Sequence, residues 1–254
     1  MRRFVIGDIH GNNKALIQCL ERSKFDFDKD QLISLGDIVD GWDEVKEVVD
    51  TLLQVKNHIA IKGNHDDWFL HWLQTNEHPA YWNHGGHATL KSYGLHYVKG
   101  YNGGYGGYRT QSVPANIPKK HIEFFKNQIP YYRDKDNNFF VHGGFNRHYT
   151  IEQHEKEGNQ NIFWWDRDLF YASMSAFAGK QPIKFKEEFN KIFIGHTATT
   201  NWDLDKPIFV DRLINIDTGA GWDGRLTIMD VDTKKYWQSD LCKDLYPFKH
   251  GRTN

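Results

Sequence analysis

GDIHG, Gly7 to Gly11, closes the first apolar run of the chain, and its reading decides the fold. The run before it, Arg3 to Ile6, is short and β-prone, so the motif falls where a buried strand opens into a loop. Residues two apart in an extended segment point to the same side. The Asp8 carboxylate and the His10 imidazole are thereby aimed at one point, as a metal site needs. Alone, D-x-H is weak. Four more blocks give it weight: GDIVD at 36–40, GNHD at 63–66, VHGG at 141–144 and GHT at 195–197. Each follows a β-prone run and delivers Asp, Asn or His just past it.

Between the blocks the pattern is strand, loop, helix. Asn12 or Asn13 can cap a helix through about Arg22 that buries Ala15, Leu16, Cys19 and Leu20. Gln31 to Leu35 reads as the second strand. Asp43 is placed to cap a helix to about Val55, in which Val45, Val48, Val49, Leu52 and Leu53 make one apolar face. His58 to Ile61 is the third strand, and 67–94 is helical with breaks at Pro79 and Gly85-Gly86. This order predicts a parallel sheet with helices packed on it and ligands beyond the strands' carboxyl ends. A helix follows over Lys119–Gln128.

From Ile129 short β-prone pieces dominate, around a helical or irregular insert at 150–190. Segments 208–217, 225–231 and 235–239 read as antiparallel hairpins of a second, more mixed sheet packed on the first. The expected fold is α/β, a layered β-sandwich of two mixed sheets flanked by helices, in a single domain over 1–254. The stretch YNGGYGGY at 101–108 has no P-loop Lys-Ser/Thr and reads as a mobile loop, a lid or a binding surface, rather than a nucleotide cradle.

Composition excludes several classes. The formal net charge of −1 leaves no global electrostatic footprint for a nucleic-acid polymer or an anionic membrane. No run of 18 apolar residues appears, and the apolar stretch before Asp8 is too short for a signal segment. The two cysteines, Cys19 and Cys242, read as unpaired thiols. The expectation is a soluble, cytoplasmic protein.

Asp8, His10, Asp37, Asn64, His142 and His196 make a mixed nitrogen and oxygen donor set, which suits Mn, Fe or Zn better than Mg or Ca. Six ligands are too many for one catalytic ion with open positions, but suit two ions sharing a carboxylate. Such a pair can clamp the attacking and leaving oxygens of a phosphoryl displacement.

The five blocks in this order resemble the calcineurin-like metallophosphoesterases, and within them the phosphoprotein phosphatase branch that includes bacterial and phage serine/threonine phosphatases. The resemblance covers residues 4 to about 228. It implies that Asp8, His10 and Asp37 hold a first metal. Asp37 bridges to a second, completed by Asn64, His142 and His196, with Mn the first expectation and Fe or Zn alternatives. His65 is implied as the general acid and Asp40 as the carboxylate that orients it. The implied reaction is hydrolysis of phosphoserine or phosphothreonine esters by in-line attack of a metal-bridging hydroxide.

Two departures stand out. Gly41-Trp42 follows Asp40, where the protein-phosphatase motif has Arg-Gly and uses the arginine to grip phosphate. Arg167, in WWDRD, is the first candidate substitute and Arg147 the second. Asp66 stands where eukaryotic-type protein phosphatases carry Glu. Symmetrical diadenosine tetraphosphate hydrolases share GNHD but lack a carboxylate matching Asp40, so dinucleoside polyphosphate hydrolysis is the alternative activity. A non-catalytic phospho-ligand binding protein is the alternative of another class. His84 and His87, in WNHGGH, and Trp42, Trp164, Trp165 and Trp222 are candidate walls of the cleft.

Overall fold

The computed structural model describes residues 1–79, 82, 84–99, 108–110 and 112–252. The first half runs β1 (Arg3–Ile6), α1 (Asn13–Arg22), β2 (Gln31–Ser34), α2 (Val45–Leu52), β3 (Asn57–Ala60), α3 (Asn64–Thr75), α4 (Gly86–Ser92), β4 (Tyr97–Lys99), β5 (Tyr108–Thr110) and α5 (Lys119–Lys126). The second half runs β6 (Tyr131–Arg133), β7 (Phe139–Val141), α6 (Ile151–Lys156), α7 (Ile162–Trp165), α8 (Asp168–Ala178), β8 (Ile192–Ile194), β9 (Ile208–Val210), β10 (Leu213–Asn215), β11 (Thr227–Asp230), β12 (Tyr236–Gln238) and α9 (Cys242–Leu245). Two five-stranded sheets result, ordered β12-β11-β1-β2-β3 and β6-β7-β8-β10-β9. Both are mixed: β1, β2 and β3 are parallel in one, β7, β8 and β10 in the other, with antiparallel neighbours outside them. The expected sandwich of two mixed sheets flanked by helices is the fold observed.

Alternation along the strands decides what lies between the layers. Phe4 and Ile6 of β1 face the helix-side core, with Leu16, Val48 and Phe69, whereas Val5 faces the other way. Phe139 and Val141 of β7 and Ile192 and Ile194 of β8 face the core under α6 to α8. Their neighbours Phe140 and Phe193 point inward with Val5, Ile33, Ile214 and Met229, forming the layer that joins the sheets. Phe140 and Phe193 stack in parallel at 4.8 Å between centroids.

The assignment of 225–231 and 235–239 to the second sheet is corrected. β11 returns to pair antiparallel with β1, with Phe4 opposite Asp230 and Ile6 opposite Ile228, and β12 extends that sheet's edge. Of the three segments, 208–215 forms a hairpin in the second sheet. Short strands of like composition fit either sheet locally, and long-range pairing decides between them.

Two boundaries also differ. Asn12 caps α1, its Oδ1 accepting from Ala15 N at 2.9 Å. Asp43 does not cap α2, which starts at Val45; its carboxylate is engaged by Lys91 at 2.6 Å and Lys249 at 2.8 Å. α3 begins earlier than expected, at Asn64, so the GNHD block forms its first turn. The 101–107 part of the Tyr-Gly stretch lies outside the described residues. Among those described, no helix is long and apolar enough to cross a membrane.

Because Phe140 and Phe193 stack in the layer that joins the two sheets, Phe193→Ala should destabilise the fold by about 3–5 kcal/mol. Urea unfolding measures this, and an unchanged midpoint would show that the sheets do not depend on this ring pair.

Candidate metal centre

The carboxyl ends of the parallel strands of both sheets meet in one cluster. β1 delivers Asp8 and His10, β2 delivers Asp37, and β3 leads into Asn64 and His65 at the start of α3. From the second sheet β7 delivers His142 and β8 delivers His196. The chain must turn sharply just past each strand, and several turning residues are the ligand-type ones. His10, Asp37, Asp40 and His196 have φ of 50°, 49°, 64° and 65°. Left-handed backbone at four non-glycine positions is locally unfavourable and clusters here, where surrounding contacts hold it.

The glycines of the blocks give the carboxylates room. A Cβ on Gly63 would lie 2.1 Å from Asp37 Oδ1, and one on Gly195 would lie 2.1 Å from Asp8 Oδ1. Gly221, from the second half, packs against the His10 ring, with Cδ2 2.4 Å from where its Cβ would be. Each carboxylate is therefore seated on the backbone of another strand's loop.

The donor atoms form two sets, Asp8-His10-Asp37 and Asp37-His142-His196, each lying within 4.8 Å of one another. Asp37 belongs to both. Its Oδ2 stands 3.5 Å from His10 Nε2 and 3.4 Å from His142 Nε2, and its Oδ1 accepts from His65 N at 3.0 Å. Backbone carbonyls fix the rings: His10 Nδ1 donates to Asp40 O at 2.6 Å, and His142 Nδ1 donates to Leu35 O at 2.8 Å. Nε2 is thereby left on the Asp37 side in both, the usual arrangement of a histidine ligand. Asn64 Oδ1 lies 3.2 Å from His142 Nε2.

The electrostatics are those of a cation site. Burial pushes Asp8 well above the usual carboxylate range, and Asp217 beside it adds to this. Burial pushes Asp37 up as well, but His142, His65 and His10 outweigh it and hold Asp37 well below that range. Burial brings His10 down to about 3 and holds His196 well below its ordinary value. His142 is also pressed down by burial, yet Asp37 and Asp8 lift it to about 9. Asp8 Oδ1 and His196 Nε2 are buried with no hydrogen-bond partner. Unpartnered acceptors, with a proton drawn onto His142 between carboxylates, fit divalent cations with mixed nitrogen and oxygen ligands.

Beside the cluster, His65 Nδ1 donates to Asp40 Oδ2 at 2.9 Å. Asp40 is fully buried and also accepts from Trp82 Nε1 at 2.9 Å and Thr89 Oγ1 at 2.5 Å. Burial raises Asp40 to about 7 despite these donors, and burial holds His65 well below its ordinary value. Desolvation thus outweighs the lift that a carboxylate partner gives a histidine. Asp66 has a different task. Its Oδ1 accepts from Ile38 N at 2.8 Å and its Oδ2 from Gly63 N at 3.2 Å and Gln128 Nε2 at 2.8 Å. It ties the first turn of α3 to the loop carrying Asp37 and Asp40.

The two candidate arginines lie apart. Arg167 Nη1 donates to His196 O at 2.8 Å and Thr197 Oγ1 at 2.9 Å, next to the cluster. Arg147 Nη1 reaches Lys184 O at 3.5 Å in an exposed loop and lines a separate cleft with Phe145 and Asp168. Of the candidate walls, Trp165 lies 6.2 Å from His196 and 5.4 Å from Trp68. Trp68 stands 4.9 Å from His65 and stacks with His84 at 6.3 Å. Trp42 is buried against Tyr246, and Trp164 is buried in the second core.

Sequence reasoning missed Asp217 and Asn215. Both are buried at the end of β10; Asn215 Nδ2 donates to Thr197 O at 2.7 Å, and Asp217 bears electrostatically on Asp8. The signal was there: DTG at 217–219 is a sixth block that delivers a ligand-type residue after a β-prone run.

This architecture, with acidic and histidine donors at converging strand ends, defines a metal-dependent hydrolase class. The family profile of calcineurin-like phosphoesterases matches residues 1–201, and the chain belongs to that family. It is 23% identical to the symmetrical bis(5'-nucleosyl)-tetraphosphatase of Pseudomonas fluorescens, over 97% of each chain. It is 34% identical to serine/threonine-protein phosphatase 2 of Salmonella typhimurium over 33% of this chain and 38% of that one. The solved structure of a Saccharomyces cerevisiae serine/threonine phosphatase shares the fold, with a TM-score of 0.55, 13% identity and coverage of 99% and 82%. The family uses divalent metals, and the chain is a metallophosphoesterase.

Gly195→Ala introduces a methyl group where Asp8 Oδ1 now lies. Metal analysis of the Mn-loaded variant should show bound Mn reduced, with stability lowered by about 1–3 kcal/mol. Full retention of Mn would mean that Asp8 can move aside without loss.

Proposed function

We propose that the chain is a phosphomonoesterase of the serine/threonine phosphoprotein phosphatase type, working with two divalent ions, Mn first among them. The observation that carries this is the Asp40 carboxylate on His65 Nδ1 at 2.9 Å. It supplies the carboxylate that the dinucleoside tetraphosphate hydrolases lack at this position. Asp8, His10 and Asp37 would hold one ion, and Asp37, Asn64, His142 and His196 the other. When bound, the ions lower the pKa of water and neutralise charge on the phosphoryl group.

The chain's own groups do the rest. Asp40 keeps one proton of His65 on Nδ1; when the ring takes up a second proton, on Nε2, that is the one donated to the departing oxygen. Trp82 and Thr89 fix Asp40, and through it the ring. Trp68 and Trp165 shield this side from water, which strengthens each charge interaction. Arg167, held at the His196 carbonyl, is the nearer of the two candidate arginines for contact with substrate phosphate.

Hydrolysis of dinucleoside tetraphosphates is the second reading, supported by the relative matched over its full length. Initial rates of the Mn-loaded protein on a phosphothreonine peptide and on diadenosine tetraphosphate separate the two. Faster phosphate release from the peptide is expected, and faster cleavage of the dinucleotide would overturn this assignment. A protein that keeps its Mn but turns over neither of these nor an aryl phosphate would be a phospho-ligand binding protein.

His65→Asn should lower kcat by about 10²–10⁴-fold with bound Mn unchanged; undiminished turnover would remove the acid role. Asp37→Asn should abolish binding of the paired ions, and an intact two-Mn stoichiometry in that variant would remove the bridging role.

A further inference from the structure

Residues 246–252 lie against the loop after β2. Tyr246 stacks on Trp42 at 4.7 Å, and Lys249 Nζ reaches Asp43 Oδ1 at 2.8 Å. Gly251 is so close that a Cβ on it would lie 2.4 Å from Gly221 O and 3.0 Å from Trp42 Cε2. Arg252 N then donates to Gly221 O at 2.7 Å. Gly221 is the residue packed on the His10 ring, so two backbone contacts lead from that ring to Arg252.

The side chain of Arg252 runs beside Gly41. A Cβ on Gly41 would lie 3.4 Å from Arg252 Cγ, 2.9 Å from His10 O and 3.0 Å from His10 Cβ, at a φ of +140°. Residue 41 has no room for a side chain, and the stem of Arg252 takes the adjoining space. Its guanidinium lies 5.0 Å from the Trp222 ring centroid. Its Nε is buried with no hydrogen-bond partner. A buried guanidinium donor without an acceptor is costly unless an acceptor arrives.

We propose that Arg252 grips the substrate phosphate at this site, delivered by the 246–252 strap because residue 41 is a glycine. This rests on the phosphoesterase reading above. A phosphate dianion supplies acceptors for Nε and the guanidinium fork, and Trp222 holds the group in place through cation–π contact.

The test uses the full chain loaded with Mn. Calorimetric titration with inorganic phosphate is run beside kcat and KM on p-nitrophenyl phosphate. In Arg252→Gln the phosphate Kd and the KM should each rise about 10- to 100-fold, with bound Mn and the unfolding midpoint unchanged. Arg252→Lys keeps charge and stem but not the fork and should fall between; should the Gln variant not fold, Lys decides. Phosphate affinity within about twofold of wild type, while wild type hydrolyses the ester, overturns the assignment and leaves the phosphoesterase reading standing. Loss of Mn from Arg252→Gln overturns it in favour of a structural role. A wild-type protein that takes up Mn but neither binds phosphate nor cleaves the ester overturns both.

Discussion

Asp8, Asp37 and Asp217 are buried together, and removing these carboxylates from water is the constraint around which the rest of the molecule is arranged. Carboxylates removed from water stay ionised only beside positive charge or strong donors. Asp37 and Asp8 in turn lift His142 to about 9 against its burial. The other imidazoles are driven neutral by burial, which leaves them ready as ligands. Asp37, shared by both donor sets, is held below the usual carboxylate range, with His142 the leading influence against burial.

Holding such a cluster requires backbone that is hard to form locally. Four non-glycine residues at positive φ, each costing on the order of 1 kcal/mol or more, are kept in place by the two sheets behind them. The strands are short, three or four residues each, and would not pair stably in isolation. Their pairing depends on the layer of Val5, Ile33, Phe140, Phe193 and Ile214 that joins the sheets. Packing between the sheets therefore stabilises the strained loops, and glycines at 63 and 195 let those loops approach each other's carboxylates.

The parallel half of the fold was legible because the spacing of five Asp- or His-bearing blocks after β-prone runs reports directly on strand ends. The helix faces were legible through their 3.6-residue period. The sheet membership of 225–231 and 235–239 was not, because β11 pairs with a strand more than 200 residues earlier and nothing local encodes that. Asp43 misled for a similar reason: its sequence context is that of a cap, but Lys249, from the far end of the chain, claims the carboxylate. Trp82 and Thr89 were invisible as partners of Asp40, because a buried carboxylate's donors come from wherever the chain passes. The fall of His65 on burial was likewise not readable from its neighbours in sequence.

Gly41-Trp42, the point where the sequence departs from the protein-phosphatase motif, looks in isolation like a lost function. In three dimensions it begins a run in which each residue engages the 246–252 strap. Gly41 lies beside the stem of Arg252, and Trp42 stacks on Tyr246 and packs against Gly251. Asp43 pairs with Lys249, and Glu44 accepts from the Tyr246 hydroxyl. Trp42 is fixed from behind by its own N–H on Ala220 O at 2.8 Å, in the segment that also presents Gly221 to His10. A random loss at position 41 would not be expected to bring three consecutive anchors for one distant segment. On the proposal that Arg252 meets the phosphate, the departure is an exchange, in which a side chain from within the loop gives way to one brought beside Gly41 from outside it. The donor cluster is built from the strand ends, whereas this side of it depends on a contact with a segment more than 200 residues away in sequence.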